Sequence, residues 1–305
     1  MRLLKLSKKN LLSISDLTKY EIDYILELAI KIKNKNIKID LEDKTLGLIF
    51  DKASTRTRVS FQVAMFRLGG NTIDLNPNTS QIGRGEPIKD TARVLSRYCD
   101  VLAIRTFSQV DLEEYAKWSN KPVINALTDL EHPCQILADF LSIKEEFGNL
   151  EDLVLTFIGD GNNVANSLIL CGAILGVKIK IACPKGYEPN SSIVEKALAI
   201  NKNSLEINND PIAASYKTNI LYTDVWSSMG EEKNRENKDK DFEGFTINQN
   251  IVDQADPKAI ILHCLPAYRG KEITEEIIDC NQSRIFNQAE NRMHVQQALL
   301  SCLLS

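Results

Sequence analysis

The 305-residue sequence contains no apolar run of about 18 residues, so none of it reads as a membrane-spanning helix. Its opening residues, MRLLKLSKKN, have too short an apolar run for a secretory leader and no small-residue cleavage site. C-x-x-C pairs are also missing. The seven cysteines, an odd number, are scattered at positions 99, 134, 171, 183, 264, 280 and 302. That spacing argues against a disulfide framework or a zinc site and favours a reducing, cytoplasmic setting. No surplus of positive charge exists either, because the formal net charge is −4. Nucleic acid is therefore excluded as an expected partner, whereas a small anion is not. No internal repeat is visible. What the chain does have is 43% hydrophobic residues over a length sufficient for two domains with cores of their own.

The pattern along the chain is an alternation. LTKYEIDYILELAIKIK opens with Thr18 and Glu21 in capping-box spacing, with Leu17 placed to staple onto Ile22. Ile22, Ile25, Leu26, Ala29 and Ile30 then share one helical face. From there β-like and helical runs alternate: TLGLIF, NTIDL, VLAIR and PVINAL in the first half, then LVLTFIG, VKIKIAC, SLEI, NILYTDV and AIILHCL in the second. A long amphipathic helix near 132–147, with Pro133 in its first turn, separates the two sets. Such alternation predicts an α/β fold with two parallel sheets, each flanked by helices. The last run, NRMHVQQALLSCLL, predicts a helix that packs back on one of the halves. GEEKNRENKDKDFEG (230–244) is polar and reads as a mobile surface loop.

Ligands of open α/β sheets bind beyond the carboxyl ends of the strands, so the residues that follow each β-like run are the place to search. After TLGLIF stands DKASTRTR, with Ser54, Thr55, Arg56 and Thr57 at a helix start. That is the local chemistry of a phosphate cradle: free backbone N–H groups, hydroxyls and a guanidinium. Arg105-Thr106 follow VLAI, and His132-Pro133-Cys134-Gln135 come shortly after PVINAL. Gly159-Asp160-Gly161-Asn162-Asn163 follow LVLTFI. Asp224 and Ser227-Ser228-Met229-Gly230 follow NILYT, and His263-Cys264-Leu265-Pro266 follow AIIL. Each has a plain structural reading as a cap, a turn, a solvated charge or a core thiol. Six polar or reactive strand ends converging on one kind of edge are better read as a site. Gly159-x-Gly161 also suggests a dinucleotide loop. The third glycine position is Val164, however, Asp160 would put its charge on a pyrophosphate, and no acidic residue closes VKIKIAC, so an NAD-dependent dehydrogenase is the weaker reading.

With STRTR, R-T, HPCQ, D-x-x-x-S-M-G and HCLP in this order along its whole length, the chain resembles the aspartate/ornithine transcarbamylase family, and within it the ornithine carbamoyltransferases. The resemblance implies a carbamoyl-phosphate domain (1–147) that the C-terminal helix (288–305) packs back upon. It further implies an ornithine domain (148–287), a homotrimeric catalytic unit and a reaction that uses no cofactor and no metal. The partners implied are carbamoyl phosphate and L-ornithine. Carbamoyl phosphate would be held by Ser54, Thr55, Arg56, Thr57, Gln81, Arg105, His132, Gln135, Cys264, Leu265 and Arg292. Gln81, in the Gly-rich segment 78–90, would reach into a neighbouring subunit. Ornithine would be held by Asn163, Asp224, Ser228 and Met229, and Cys264, Asp224, Arg105 and His132 would carry the chemistry. Relatives acting on putrescine or acetylornithine are the alternative, and S-M-G favours free ornithine because that loop reads the α-amino-acid head.

Overall fold

The computed structural model describes residues 3–76, 85–227 and 235–304. These form two compact units, one of Met1–Leu141 with Glu290–Ser305, the other of Ser142–Ala289. The first helix, α1 (Lys19–Lys33), begins as its sequence dictates. The Thr18 hydroxyl accepts from the Glu21 N–H, and the Glu21 carboxylate accepts from the Thr18 N–H at 2.8 Å.

In the first unit, β1 (Thr45–Phe50), α2 (Arg56–Arg67), β2 (Asn71–Leu75), α3 (Ile88–Tyr98), β3 (Val101–Arg105), α4 (Gln109–Trp118) and β4 (Val123–Leu127) make a parallel sheet in the order β2-β1-β3-β4. All five residues of β3 are buried, as are five of the six in β1, which is why these strands read as unbroken apolar runs rather than alternating ones. The edge strand β2 is mostly exposed or half-buried. Ile49, Leu102, Ile104, Leu112, Tyr115 and Val123 lie in one buried cluster of this unit.

Helix α5 (Pro133–Phe147) leads to the second unit. There β5 (Val154–Ile158), α6 (Asn163–Leu175), β6 (Lys178–Ala182), α7 (Ser191–Ile200), β7 (Leu205–Asn208), α8 (Pro211–Ser215), β8 (Ile220–Thr223), α9 (Arg235–Asp241), α10 (Gln249–Val252), β9 (Ile260–His263) and α11 (Glu275–Ile278) follow. All the strands are parallel, in the order β7-β6-β5-β8-β9.

The final helix, α12 (Ile285–Leu304), returns to the first unit through its residues from 290 onward. There Lys33 on α1 donates to Asn291 at 2.8 Å. No helix among the described residues is long and apolar enough to cross a membrane.

One expectation needs correction. Within 230–244, the described part is not a bare loop: it carries α9, and Phe242 just beyond it is fully buried. Phe242 stacks on Trp226 at 5.4 Å between ring centroids and meets Phe245 and Tyr187 edge-on. Burying one Phe is worth about 1.5–3 kcal/mol, enough to pin a short helix whose remaining residues are polar.

Both sheets change direction at a defined place. In the first, the chain moves outward from β1 to β2 and then returns to lay β3 on the other side of β1. In the second, it runs from β5 through β6 to β7 and returns to lay β8 beside β5. At such a switch point the loops beyond the two adjacent strands diverge and leave a crevice at their carboxyl ends.

Candidate active site

The β1/β3 switch point holds the expected phosphate chemistry. The chain leaves β1 through Asp51, whose N–H donates to the Arg105 carbonyl at the end of β3 (2.8 Å), and turns into α2 at Arg56. Thr55 is the N-cap residue but makes no side-chain cap bond, so its hydroxyl is not spent on the first amides of α2. The two arginines of STRTR divide their work. Arg58 pairs with Asp74 and lies 5.0 Å from the Phe50 ring centroid, whereas Arg56 is exposed. Ser54 is half-buried, Thr55 exposed and Thr57 buried.

Deeper in the same unit, Arg105, His132, Gln135 and Arg292 are all buried. A register shift between Ile104 and Arg105 in the β3–β4 pairing interrupts the ladder where Arg105 emerges. His132 immediately precedes α5, whose first turn accepts Pro133 because that N–H has no helical partner to lose. From α12, Arg292 donates to the Thr57 hydroxyl at 2.6 Å. Burial, then the positive charges of Arg292 and Arg105, hold the pKa of His132 well below the ordinary histidine range. The imidazole is therefore neutral, and a neutral imidazole still offers one N–H donor.

Gln135 is fixed by its amide NH2, which donates to the buried Asp139 carboxylate at 2.8 Å. The Gln135 Oε1 is buried and accepts no hydrogen bond, an acceptor held in place with nothing to accept. Its neighbour Cys134 is inert: the thiol donates to the Asn125 carbonyl and burial pushes its pKa up to about 12.

The β5/β8 switch point in the second unit holds Asp224 and the loop Gly159–Asn163. Gly161 is required there, because a Cβ would lie 2.3 Å from the Pro189 nitrogen and 2.4 Å from the Glu188 carbonyl carbon. Asn162 is the N-cap of α6, accepting from the Val164 and Ala165 N–H groups, while its Nδ2 donates to Asp224 Oδ2 at 2.8 Å. Asp224 Oδ1 accepts from the Val225 N–H at 2.8 Å and from the Cys264 thiol at 2.9 Å.

Next to Cys264, His263 is locked on both ring nitrogens. Nδ1 accepts from the Leu265 N–H at 2.9 Å, which leaves the proton on Nε2, facing Glu272 Oε1 at 3.1 Å. The Leu265–Pro266 peptide bond is cis and Leu265 has φ of 58°. Ligand-type atoms of Asp224, His263 and Cys264 lie within 4.8 Å of one another. Their hydrogen bonds argue against a metal: both His263 nitrogens and both Asp224 oxygens are already engaged within the chain, and an ion would have to break those bonds.

Of the residues expected from the sequence, the first unit thus brings together Thr57, Arg105, His132, Gln135 and Arg292, with Ser54, Thr55 and Arg56 at the mouth of α2. The second unit brings together Asp224, Cys264 and Leu265, with Asn163 as the half-buried first residue of α6. Gln81, Ser228 and Met229 lie outside the described residues. Asn162 and His263 stood among the strand-end residues without an assigned role, and Glu272 was not anticipated. The sequence signals for Asn162 were its place after a strand and before a helix; its link to Asp224 spans 62 residues and could not be read there.

The dinucleotide reading of the β5 loop loses its footing, since Asp160 accepts an ion pair from Lys238 at 2.7 Å and Asn162 itself fills the helix cap.

Comparison with known proteins adds three kinds of likeness. Residues 9–145 match the model described as aspartate/ornithine carbamoyltransferase, carbamoyl-P binding domain, and residues 151–303 match that family's Asp/Orn binding domain. A protein of Prochlorococcus marinus subsp. pastoris named ornithine carbamoyltransferase is 70% identical over 98% of each chain. Among solved structures, the ornithine carbamoyltransferase of Gloeobacter violaceus is 46% identical over the full length of both chains, with a TM-score of 0.89. That of Pyrococcus furiosus is 45% identical over 98% of each, with a TM-score of 0.93.

Proposed function

The chain belongs to the aspartate/ornithine carbamoyltransferase family, and on that premise we propose that it transfers the carbamoyl group of carbamoyl phosphate to the δ-amino group of L-ornithine, giving L-citrulline and phosphate. The observation that carries this reading is the buried set of Thr57, Arg105, Gln135, Arg292 and neutral His132 in the first unit. A phosphate dianion leaving water needs several charge-assisted donors. The α2 amides, Ser54, Thr55, Thr57, Arg56 and Arg105 supply them.

As the amine attacks, charge grows on the carbamoyl oxygen. Arg105, His132 and Thr57 are its donors, each worth about 3–4 kcal/mol in comparable sites. The bare Oε1 of Gln135 takes the carbamoyl NH2, and Arg292 completes the carbamoyl-phosphate contacts of this unit. Asn163, Asp224, Ser228 and Met229 read the amino-acid head of ornithine, an amide suiting its α-carboxylate and a carboxylate its α-ammonium.

The nucleophile must be a free amine, and a lysine-like ammonium with a pKa near 10.4 is neutral in about one molecule per few thousand at pH 7. Desolvation enlarges that fraction. The nitrogen lone pair then forms the C–N bond, the C–O bond to phosphate breaks with its electrons leaving on phosphate, and the amine gives up a proton. The Cys264 thiol, which donates to Asp224, helps orient the amine, and the Asp224 carboxylate receives that proton.

The catalytic unit in this reading is a homotrimer in which Gln81 serves a neighbouring subunit, and the seven free cysteines suit a reducing cytoplasm. The deciding assay offers the enzyme carbamoyl phosphate with ornithine, putrescine or acetylornithine in turn. Citrulline formation faster than the other two transfers by about 100-fold or more is expected, because putrescine has no amino-acid head for Asp224 and Asn163 to pair with. Equal rates with putrescine would overturn ornithine as the substrate.

A further inference from the structure

Lys238 belongs to the charged stretch that follows the S-M-G motif, yet among the described residues it is one of two buried lysines. Its ammonium donates to Asp160 Oδ2 at 2.7 Å, with the two side chains only 9% and 16% exposed. Asp160 is the second residue after β5, in the loop that ends at Asn162. We propose that Lys238 is a positioning residue for the amino-acid substrate: it fixes the β5 loop, and through Asn162 the Asp224 carboxylate, in the geometry that receives the substrate's ammonium head. The inference rests on the ornithine reading above and deepens it.

The chain of contacts is continuous. The Asp160 carbonyl accepts from the Asn162 N–H at 2.7 Å, and the Gly161 N–H donates to the Tyr187 carbonyl at 2.9 Å. Asn162 then spends its oxygen on the α6 cap and its nitrogen on Asp224, so a shift of the loop is transmitted to the carboxylate. Lys238 grips the same loop from a second side. Its ammonium stands 5.6 Å from the Tyr187 ring centroid, while the Tyr187 hydroxyl donates to Asp241 on the same short helix at 2.6 Å. Phe242 anchors that helix in the core, and Lys271 pairs with Asp239. A largely desolvated ion pair enforces its geometry because either partner alone is a buried, uncompensated charge. Lys238 also offsets the charge of Asp160, so that Asp224, which follows β8 and is held by this loop through Asn162, is not opposed by a second bare carboxylate beside it.

The test is steady-state kinetics of Lys238→Met, Lys238→Arg and the double variant Asp160→Asn/Lys238→Met, scored against wild type. In Lys238→Met, KM for ornithine should rise about 10- to 100-fold, the scale set by misplaced substrate contacts, with KM for carbamoyl phosphate within about 2-fold. Lys238→Arg should restore ornithine KM to within about 3-fold of wild type, since it renews the charge and the hydrogen bond. The double variant, with no orphan charge, should be less impaired than Lys238→Met alone. If Lys238→Met does not fold, the double variant carries the same KM comparison. An unchanged ornithine KM, an equal rise for both substrates, or no recovery in Lys238→Arg would overturn the proposal. Absence of citrulline formation by the wild type would instead overturn the reading on which it rests.

Discussion

At the β1/β3 end of the first unit the buried side chains are Arg105, Arg292 and a neutral His132, whereas at the β5/β8 end of the second they are Asp224, Cys264 and the His263–Glu272 pair. Both ends are switch points of parallel sheets, so topology supplies the same crevice twice. The filling differs in kind. In the first, burial and then two guanidinium groups keep one imidazole unprotonated, and Gln135 holds out an acceptor that nothing in the chain uses. In the second, the carboxylate, both ring nitrogens of His263 and the thiol are closed into hydrogen bonds within the chain. An anion site concentrates positive potential and gains its balancing charge only with the ligand. A site for a zwitterion and its reacting amine depends on where a few groups point, and its network holds them there. A change in the first should therefore act through charge, and a change in the second through orientation.

The largest effect is expected at Arg105. Arg105→Gln should keep the far-ultraviolet circular dichroism of the wild type and lower kcat by about 10³-fold, since it removes a charged donor from a desolvated anion and from the growing oxyanion. A kcat within a few-fold of wild type would show that the first site does not work by charge.

Asp224→Asn should be smaller and confined to the other site. Citrulline formation is expected to drop about 10²-fold, the usual cost of removing a general acid–base group. Titration calorimetry should still record carbamoyl phosphate binding to this variant with little change in affinity. Parallel loss of both ligands would erase the division of labour between the two units.

The smallest effect concerns stability. Because His132 stays neutral in the folded protein, acidification below about pH 6.5 protonates it in the unfolded chain first, so the folded state loses stability as pH falls. Between pH 6.5 and 5.5 this loss amounts to about 1 kcal/mol. Denaturant unfolding of wild type and His132→Asn at the two pH values should differ by that amount, with the variant the less pH-sensitive. Identical slopes would mean that burial and the two arginines do not hold this imidazole neutral.

Much of the candidate site was legible in sequence because its parts are local. A helix start shows itself in STRTR, a Pro in the first turn of a helix in HPCQ, and a strand followed by polar residues in LAIRT and LHCLP. Each depends on interactions within a few residues. The capping box at Thr18 and Glu21 was legible for the same reason, and it formed as written. The stretch 230–244 was misread because composition averages over it, and a single Phe242 finding Trp226, Tyr187 and Phe245 outweighs the polar residues around it.

Sequence by itself determined the periods, the caps and the order of strands and helices, and so two parallel sheets with chemistry at their carboxyl ends. Only the tertiary structure decided which of those chemical groups act on one another. Arg292 meets Thr57 across 235 positions, Asn162 meets Asp224 across 62, and Lys238 meets Asp160 across 78. The physical reason is range. Backbone hydrogen bonds and side-chain periodicity bias a residue according to its near neighbours, whereas pairing two buried charges or neutralising an imidazole requires desolvation. Desolvation exists only once distant segments have packed.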